Sequence, residues 1–200
     1  MAKAKTLSNE QLSAVLGYIG ETSKHPIRDY VIVLLSFKAG LRVGEIAGLQ
    51  WSDVTDAFGN VGREINGERF FEVPRAIAKK GSGRVIPIHP ALFAALTALR
   101  GTLPPEITKG RHHVIRGSNR PAIEANALQQ YLRRLYIRCG LEGCSSHSGR
   151  RSFITQASRV AAHHGCSLRD VQKLAGHRDI ATTETYIDLS AGAASLVGAV

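Results

Sequence analysis

The sequence has few of the features that mark secreted or membrane proteins. Its three cysteines form an odd set without a CxxC pair, which argues against a disulfide framework and a structural zinc site. The longest apolar run, Val31 to Phe37, is far shorter than the roughly 20 residues of a membrane span. The opening residues lack the segments of a secretory signal. We therefore expect a soluble, intracellular protein that does not enter a membrane.

Acidic residues are also scarce. The 200 residues contain 16 Asp and Glu against 26 Lys and Arg, so the formal net charge is +10. Such a charge favours association with nucleic acid or an anionic membrane surface, although a solvated arginine-rich surface would give the same total. Hydrophobic residues at 44% and charged residues at 21% are close to globular averages, which excludes global disorder. The length suits a single domain.

Two histidine pairs could suggest a metal site. They are His112-His113 and His163-His164. Adjacent side chains on a helix or strand point in different directions, so neither pair forms a two-ligand face. We expect no metal and no cofactor.

The hydrophobic pattern predicts a mainly helical α+β fold with a small antiparallel sheet. Ser8 and Gln11 form a predicted capping box for a first helix that stops near Gly20. Further helices are expected over about 27–38, 42–49, 90–99, 123–138, 150–162 and 168–174, with a last short one holding Tyr186. Strands are expected over 69–74 and 84–88, separated by a basic, glycine-rich turn over 79–83, and residues 51–67 are expected to form loops and turns.

Three short segments contain residue types that suit phosphate chemistry. Arg42 follows a glycine break and precedes Glu45 by three residues; the pair is either a surface ion pair or a guanidinium held in place for a phosphate. His147 and Arg150 have a spacing that lets both side chains approach one oxyanion, or they simply belong to a polar helix start. Tyr186 follows His177 by nine residues, and a tyrosine needs nearby cations or a base to act as a nucleophile.

The order of these segments resembles the catalytic domain of the tyrosine recombinase (phage integrase) family. The resemblance rests on AGLRVGEIAGL, the basic turn before RVIPI, SSHSGRRSF and LAGHRDIATTETYI, and it spans about 7–188. It implies a phosphate-binding set and a nucleophile, with Glu45 supporting the first arginine. The implied catalytic residues are Arg42, Lys79, His147, Arg150, His177 and Tyr186. Lys80 is the alternative to Lys79 as the lysine that protonates the leaving 5′-oxygen.

The resemblance also implies a function and its partners. Tyr186 would attack a phosphodiester of double-stranded DNA, and a 5′-hydroxyl of a partner strand would then attack the 3′-phosphotyrosine. The chemistry conserves the phosphodiester energy and requires neither ATP nor a metal. We expect a site-specific recombinase of a mobile element, near the nucleoid in the cytoplasm, monomeric in solution and tetrameric on synapsed DNA. The alternatives are a non-catalytic DNA-binding protein on the same scaffold and a type IB topoisomerase-like enzyme.

The remaining expectations concern DNA contacts and domain limits. Basic residues expected to contact DNA are Lys80, Arg84, Arg133, Arg134, Arg138 and Arg151. We expect a basic arm over 1–6, a catalytic domain over 7–188 and an uncharged tail over 189–200, which is either a frayed terminus or a segment that docks on a neighbouring protomer. The family resemblance starts almost at the first residue, so we expect no N-terminal core-binding domain.

Overall fold

A computed structural model describes residues 4–186 of the chain. In this part of the chain the helices are α1 (Asn9–Thr22), α2 (Pro26–Lys38), α3 (Val43–Gly48), α4 (Trp51–Val54), α5 (Pro90–Gly101), α6 (Ala125–Arg138), α7 (Ser148–Val160), α8 (Leu168–Ala175) and α9 (Ile180–Glu184). Short 3-10 turns lie at Lys79–Gly81 and Ala161–His164. The predicted arm over 1–6 lies partly outside the described residues, and the predicted tail over 189–200 lies entirely outside them.

Three short strands form one antiparallel sheet. They are β1 (Arg63–Ile65), β2 (Glu68–Val73) and β3 (Arg84–Pro87), in the order β1-β2-β3. Phe70 pairs with Arg63 on one side and with Pro87 on the other. The predicted small antiparallel sheet is therefore confirmed, with one strand more than the pattern suggested.

The first two helices show how the sequence determines the core. Ser8 Oγ accepts a hydrogen bond from the Gln11 amide at 3.2 Å, and Gln11 Oε1 accepts one from the Ser8 amide at 2.9 Å, so the predicted capping box starts α1. α2 begins at Pro26, which suits a first helical position. Every residue from 31 to 37 is buried, which makes α2 the central helix of the main core.

A second, smaller apolar cluster supports the C-terminal part of the described chain. Its buried members are Ile154, Ala161, Val171 and Ala175, from α7, the following 3-10 turn and α8. Tyr186 packs against this cluster and is partly buried. The end of the described chain is thus held near α7 and α8 by apolar contacts.

Some boundaries differ from the sequence predictions. α1 continues two residues past Gly20. The segment 51–67, expected to form loops, contains α4 and β1. Tyr186 was expected inside a short helix, but α9 ends at Glu184 and Tyr186 follows it in a turn. Among the described helices, no helix has the length and apolar character needed to cross a membrane.

Candidate active site

Arg42 and Glu45 form a buried pair at the start of α3. Glu45 Oε2 accepts from the Arg42 amide at 2.9 Å, and Glu45 Oε1 accepts from Arg42 Nη1 at 3.0 Å. The Glu45 side chain is 1% exposed and that of Arg42 is 22% exposed, so this is not a surface ion pair. The carboxylate fixes the direction of a guanidinium that still reaches solvent.

Arg84 occupies the other side of the same carboxylate. Its Nη1 and Nη2 donate to Glu45 Oε1 and Oε2 at 3.0 and 2.9 Å, and its Nε donates to the Leu174 carbonyl at 2.8 Å. Burial alone would raise the pKa of Glu45, but the hydrogen bonds and charges of Arg84 and Arg42 lower it below its usual value. Only 6% of the Arg84 side chain is exposed, so little of it is accessible for the DNA contact that the sequence predicted.

Arg150 lies deepest among the proposed phosphate-binding groups, since the residue is 5% exposed. Its Nη1 donates to the Gly40 carbonyl and its Nη2 to the Ala175 carbonyl. Gly40 has a φ of +64°, and a Cβ there would approach Phe153 to 2.4 Å, so glycine is needed where the chain turns this carbonyl toward Arg150. Burial and the neighbouring Arg42 lower the pKa of Arg150 to about 9. This pKa is still above 7, so the guanidinium remains charged at neutral pH.

His147 and the two lysines of the basic turn are more exposed to solvent than Arg42, Arg84 and Arg150 are. His147 precedes α7 as its N-cap residue, so it lies one residue before the helix rather than within its first turn. Desolvation and the charges of Arg150, Lys79 and Arg42 lower the pKa of His147. Lys79 is therefore close enough to influence this group. Lys80 has a left-handed φ of 58°, and both lysines are exposed.

His177 and Tyr186 form a stacked pair. Their ring centroids are 5.8 Å apart at an interplanar angle of 24°. His177 Nδ1 lies 2.9 Å from Thr183 Oγ1, while burial and the charges of Arg150, Arg42 and Arg84 lower the pKa of His177 to about 4. The Arg151 guanidinium lies 5.5 Å from the centre of the Tyr186 ring, so Arg151, expected as a DNA contact, contacts the proposed nucleophile.

The other predicted DNA contacts lie apart from this cluster. Arg133, Arg134 and Arg138 are exposed on α6. Arg134 and Arg138 line a groove with Lys24 and Arg28, near the turn between α1 and α2. Within residues 4–186, no group of three or more His, Cys, Asp or Glu side chains is arranged to hold a metal.

The burial of Arg84 was not predicted, although the sequence contains a signal for it. Alternate residues of a strand share a face, and Arg84 alternates with Ile86, which is 1% exposed. Val85, between them, is 55% exposed. The period of β3 therefore places Arg84 on the inner face.

Comparisons with known proteins give a consistent picture. The model of the phage integrase family matches residues 5–192. The tyrosine recombinase XerC of Xanthomonas campestris pv. campestris (strain B100) is 31% identical over 164 residues, which are 82% of this chain and 45% of that protein. This chain spans about half the length of the curated relatives it matches.

Two solved structures share the fold. The crystal structure of XerA recombinase has a TM-score of 0.69 at 21% identity, and the match covers all of this chain and 65% of that one. The XerH site-specific recombinase bound to difH substrate, a pre-cleavage complex, has a TM-score of 0.69 at 20% identity, covering 98% of this chain and 54% of that one. The predicted fold class is thereby confirmed.

Proposed function

We infer the function from one premise: this chain belongs to the phage integrase family, whose model matches residues 5–192. We propose that it is a site-specific DNA recombinase acting on double-stranded DNA. The XerC relative is named a tyrosine recombinase, the two solved neighbours are named recombinases, and the XerH neighbour was solved bound to its difH substrate. One observation carries the proposal: two anchored guanidiniums, Arg42 and Arg150, adjoin His177, whose ring stacks on Tyr186.

The proposed chemistry is a pair of transesterifications. The Tyr186 hydroxyl attacks a DNA phosphorus and releases its proton to solvent, while the bond from phosphorus to the 5′-oxygen breaks. Lys79 supplies the proton that this oxygen takes up and is reprotonated from solvent. A 3′-phosphotyrosine and a 5′-hydroxyl result. A 5′-hydroxyl from the partner strand then attacks the phosphotyrosine and restores the phenol. Each step exchanges one phosphodiester bond for another, so neither step requires ATP.

The proposed roles follow from charge development. A pentacoordinate phosphorus carries negative charge on its non-bridging oxygens, and fixed donors that face those oxygens stabilise it without reorganising. Arg150 and Arg42 would supply two such donors, and His147 and His177 would supply hydrogen bonds. Glu45 would hold Arg42. On this proposal the protein is cytoplasmic near the nucleoid, monomeric when free and tetrameric when two DNA sites are paired.

Covalent capture tests the proposal. Wild-type protein is incubated in EDTA with nicked duplexes of randomised sequence, in which cleavage releases a short fragment and traps the protein on the DNA. We expect an adduct on a denaturing gel, with recovered DNA sharing one sequence and with a nucleotide on the Tyr186 peptide by mass spectrometry. Tyr186→Phe removes the nucleophile and should give no adduct, whereas Tyr18→Phe, on α1, should react as the wild type does.

The outcomes separate the alternatives. An adduct undiminished in Tyr186→Phe would exclude that residue as the nucleophile. Salt-sensitive DNA binding without any adduct would favour the non-catalytic DNA-binding protein. Adduct formation with relaxation of supercoiled plasmid, but without exchange between two DNA sites, would favour the topoisomerase-like enzyme.

A further inference from the structure

The C-terminal end of α8 holds three arginines on three consecutive carbonyls. Leu174 accepts from Arg84 Nε at 2.8 Å and Ala175 from Arg150 Nη2 at 2.6 Å. Gly176 accepts from Arg42 Nη2 at 3.4 Å. The last carbonyls of a helix lack partners within the helix and carry the negative end of its dipole. The helix end therefore spaces the three guanidiniums directly before the next residue, His177.

Arg42 and Arg150 face the proposed phosphate site, whereas the Arg84 guanidinium is enclosed by protein groups. Both of its terminal nitrogens donate to Glu45, its Nε donates to α8, and only 6% of its side chain is exposed. A DNA phosphate cannot reach a guanidinium in this position without displacing Glu45. The function of Arg84 must therefore act through its protein partners.

The charges around Glu45 indicate what that function is. Glu45 accepts four N–H donors, two from Arg84 and two from Arg42. The two guanidiniums and one carboxylate sum to a net charge of +1. Without Arg84, the buried carboxylate would pair with Arg42 alone, and the sum would fall to zero. Arg42 would then present a neutralised pair, instead of a net cation, to an approaching phosphate.

Arg84 also connects Arg42 to the basic turn. It is the first residue of β3. Two residues earlier, Ser82 Oγ shares its single proton between the Lys79 carbonyl at 2.9 Å and, at 3.2 Å, the same Gly176 carbonyl that Arg42 contacts. The turn that carries Lys79 is thereby tied to α8 beside Arg42. A loosened Arg84 would remove the stronger of these two links between the turn and the end of α8.

We propose that Arg84 is a positioning residue: it neutralises Glu45 and clamps β3 to α8, so that Arg42 remains a correctly placed net cation for the phosphate. This role rests on the proposed recombinase function. Arg84 itself touches neither DNA nor the reacting atoms.

The first test measures chemistry and binding separately. Arg84→Met keeps an unbranched side chain up to the position of Nε and removes the guanidinium fork with its charge, and the captured duplex from the preceding experiment is the substrate. We expect the single-turnover rate constant of adduct formation at saturating DNA to fall by about 10²-fold, as for a misplaced catalytic group, with the Kd for DNA unchanged. Arg63→Met is the matched control, because Arg63 is a half-exposed arginine of the same sheet, and its rate should equal the wild-type rate.

Two further variants separate geometry from charge. Arg84→Lys restores the charge but cannot donate to both Glu45 oxygens and to Leu174 at once, so its rate should lie between those of Arg84→Met and the wild type. Because Arg84 acts through Glu45, the two effects should not be independent: the rate of the double variant Arg84→Met/Glu45→Gln should fall by less than the product of the two single reductions. A weakened Kd with an unchanged saturated rate would make Arg84 a DNA contact, and full rescue by lysine would refute the fork geometry; either result overturns the proposal.

A second readout requires no DNA and no turnover. The side-chain Nε signals of Arg42 and Arg150 are compared by NMR in the free wild type, Arg84→Met and Arg84→Lys. We expect the Arg42 signal to shift while the Arg150 signal, held by Gly40 and Ala175, stays in place. An unchanged Arg42 signal would overturn the proposal, as would equal shifts of both signals. A shifted Arg42 signal in a protein that forms no adduct would support the positioning by Arg84 and reject the recombinase function.

Discussion

Burial of the Arg150 guanidinium costs desolvation free energy, although its charge remains available to a ligand. Desolvation of a guanidinium is unfavourable unless its donors are satisfied, and the Gly40 and Ala175 carbonyls satisfy two of them. Carbonyls offer partial charges, and among the described residues no carboxylate forms a salt bridge with Arg150. The site therefore holds a fixed cation without a directly paired carboxylate among the described residues, which suits the phosphate that we propose as its ligand.

The same surroundings also lower the pKa of His177, which leaves its imidazole uncharged at neutral pH. Burial, Arg150, Arg42 and Arg84 lower its pKa to about 4, and Glu45 opposes them. In the unfolded chain, a histidine has a pKa near 6.5. Between pH 4 and 6.5 the unfolded state therefore binds more protons at His177 than the folded state does. The free energy of unfolding should thus fall as the pH decreases from 6.5 towards 4. The His177 part of this loss between pH 6.5 and 5 should be about 1 kcal/mol after solvent screening.

The variant His177→Gln isolates this contribution. Urea unfolding is measured at several pH values between 5 and 6.5, above the range in which carboxylates titrate. The slope of the free energy against pH should be shallower in His177→Gln than in the wild type, and it should not vanish because the pKa values of His147 and His89 are also lowered. Identical slopes would show that His177 titrates as a solvated histidine does.

At the scale of elements, the contact between α2 and α7 places the proposed catalytic groups. Gly149 lies between His147 and Arg150, and a Cβ there would approach Ser36 Oγ to 2.4 Å and Phe37 Cδ2 to 2.8 Å. Gly149→Ala should therefore overpack this contact and lower the free energy of unfolding by about 1–3 kcal/mol. It should also slow adduct formation, because α7 must move away from α2 and carries both catalytic groups with it.

Gly17→Ala is the matched control for that change. Gly17 is exposed within α1, and nothing lies within 4 Å of its added Cβ. Helix propensity alone should then raise stability by up to about 1 kcal/mol, as urea unfolding would measure. If Gly149→Ala were as stable and as active as the wild type, the position of α7 would not depend on this close contact.

The elements also show what sequence patterns can and cannot establish. Local rules located the Ser8–Gln11 cap, because both partners lie within one turn. The Asn66-Gly67 pair, with φ values of 53° and 82°, is a strong hairpin signal, and reading it would have identified β1. The links from Arg84 to Glu45 and Leu174 join residues 39 and 90 positions apart. No local period specifies such partners, since they depend on how the elements pack.

Considered as a whole, the site joins two apolar clusters. Glu45 adjoins Ile46 of the main core, whereas Tyr186 packs on the smaller cluster that includes Ile154 and Ala175. Arg150, on α7, spans the junction through its bonds to Gly40 and Ala175. The relative placement of the proposed nucleophile and the proposed phosphate-binding groups thus depends on the packing of the small cluster against the main core.

The net charge of +10 leads to a prediction about the whole surface. DNA affinity should fall linearly with salt on logarithmic axes, and each lost phosphate contact should reduce that slope by about 1. Arg134 is exposed on α6, so Arg134→Gln should reduce the slope if the α6 arginines follow the DNA backbone. Arg69→Gln changes the net charge equally, but Arg69 is engaged with Glu64, Phe93 and the Val61 carbonyl, so the salt dependence of its DNA binding should match that of the wild type.

Fluorescence anisotropy with a random duplex at several salt concentrations measures both slopes. Equal reductions would mean that total charge, rather than contact by α6, sets the affinity; an unchanged slope in Arg134→Gln would remove α6 from the DNA-binding surface.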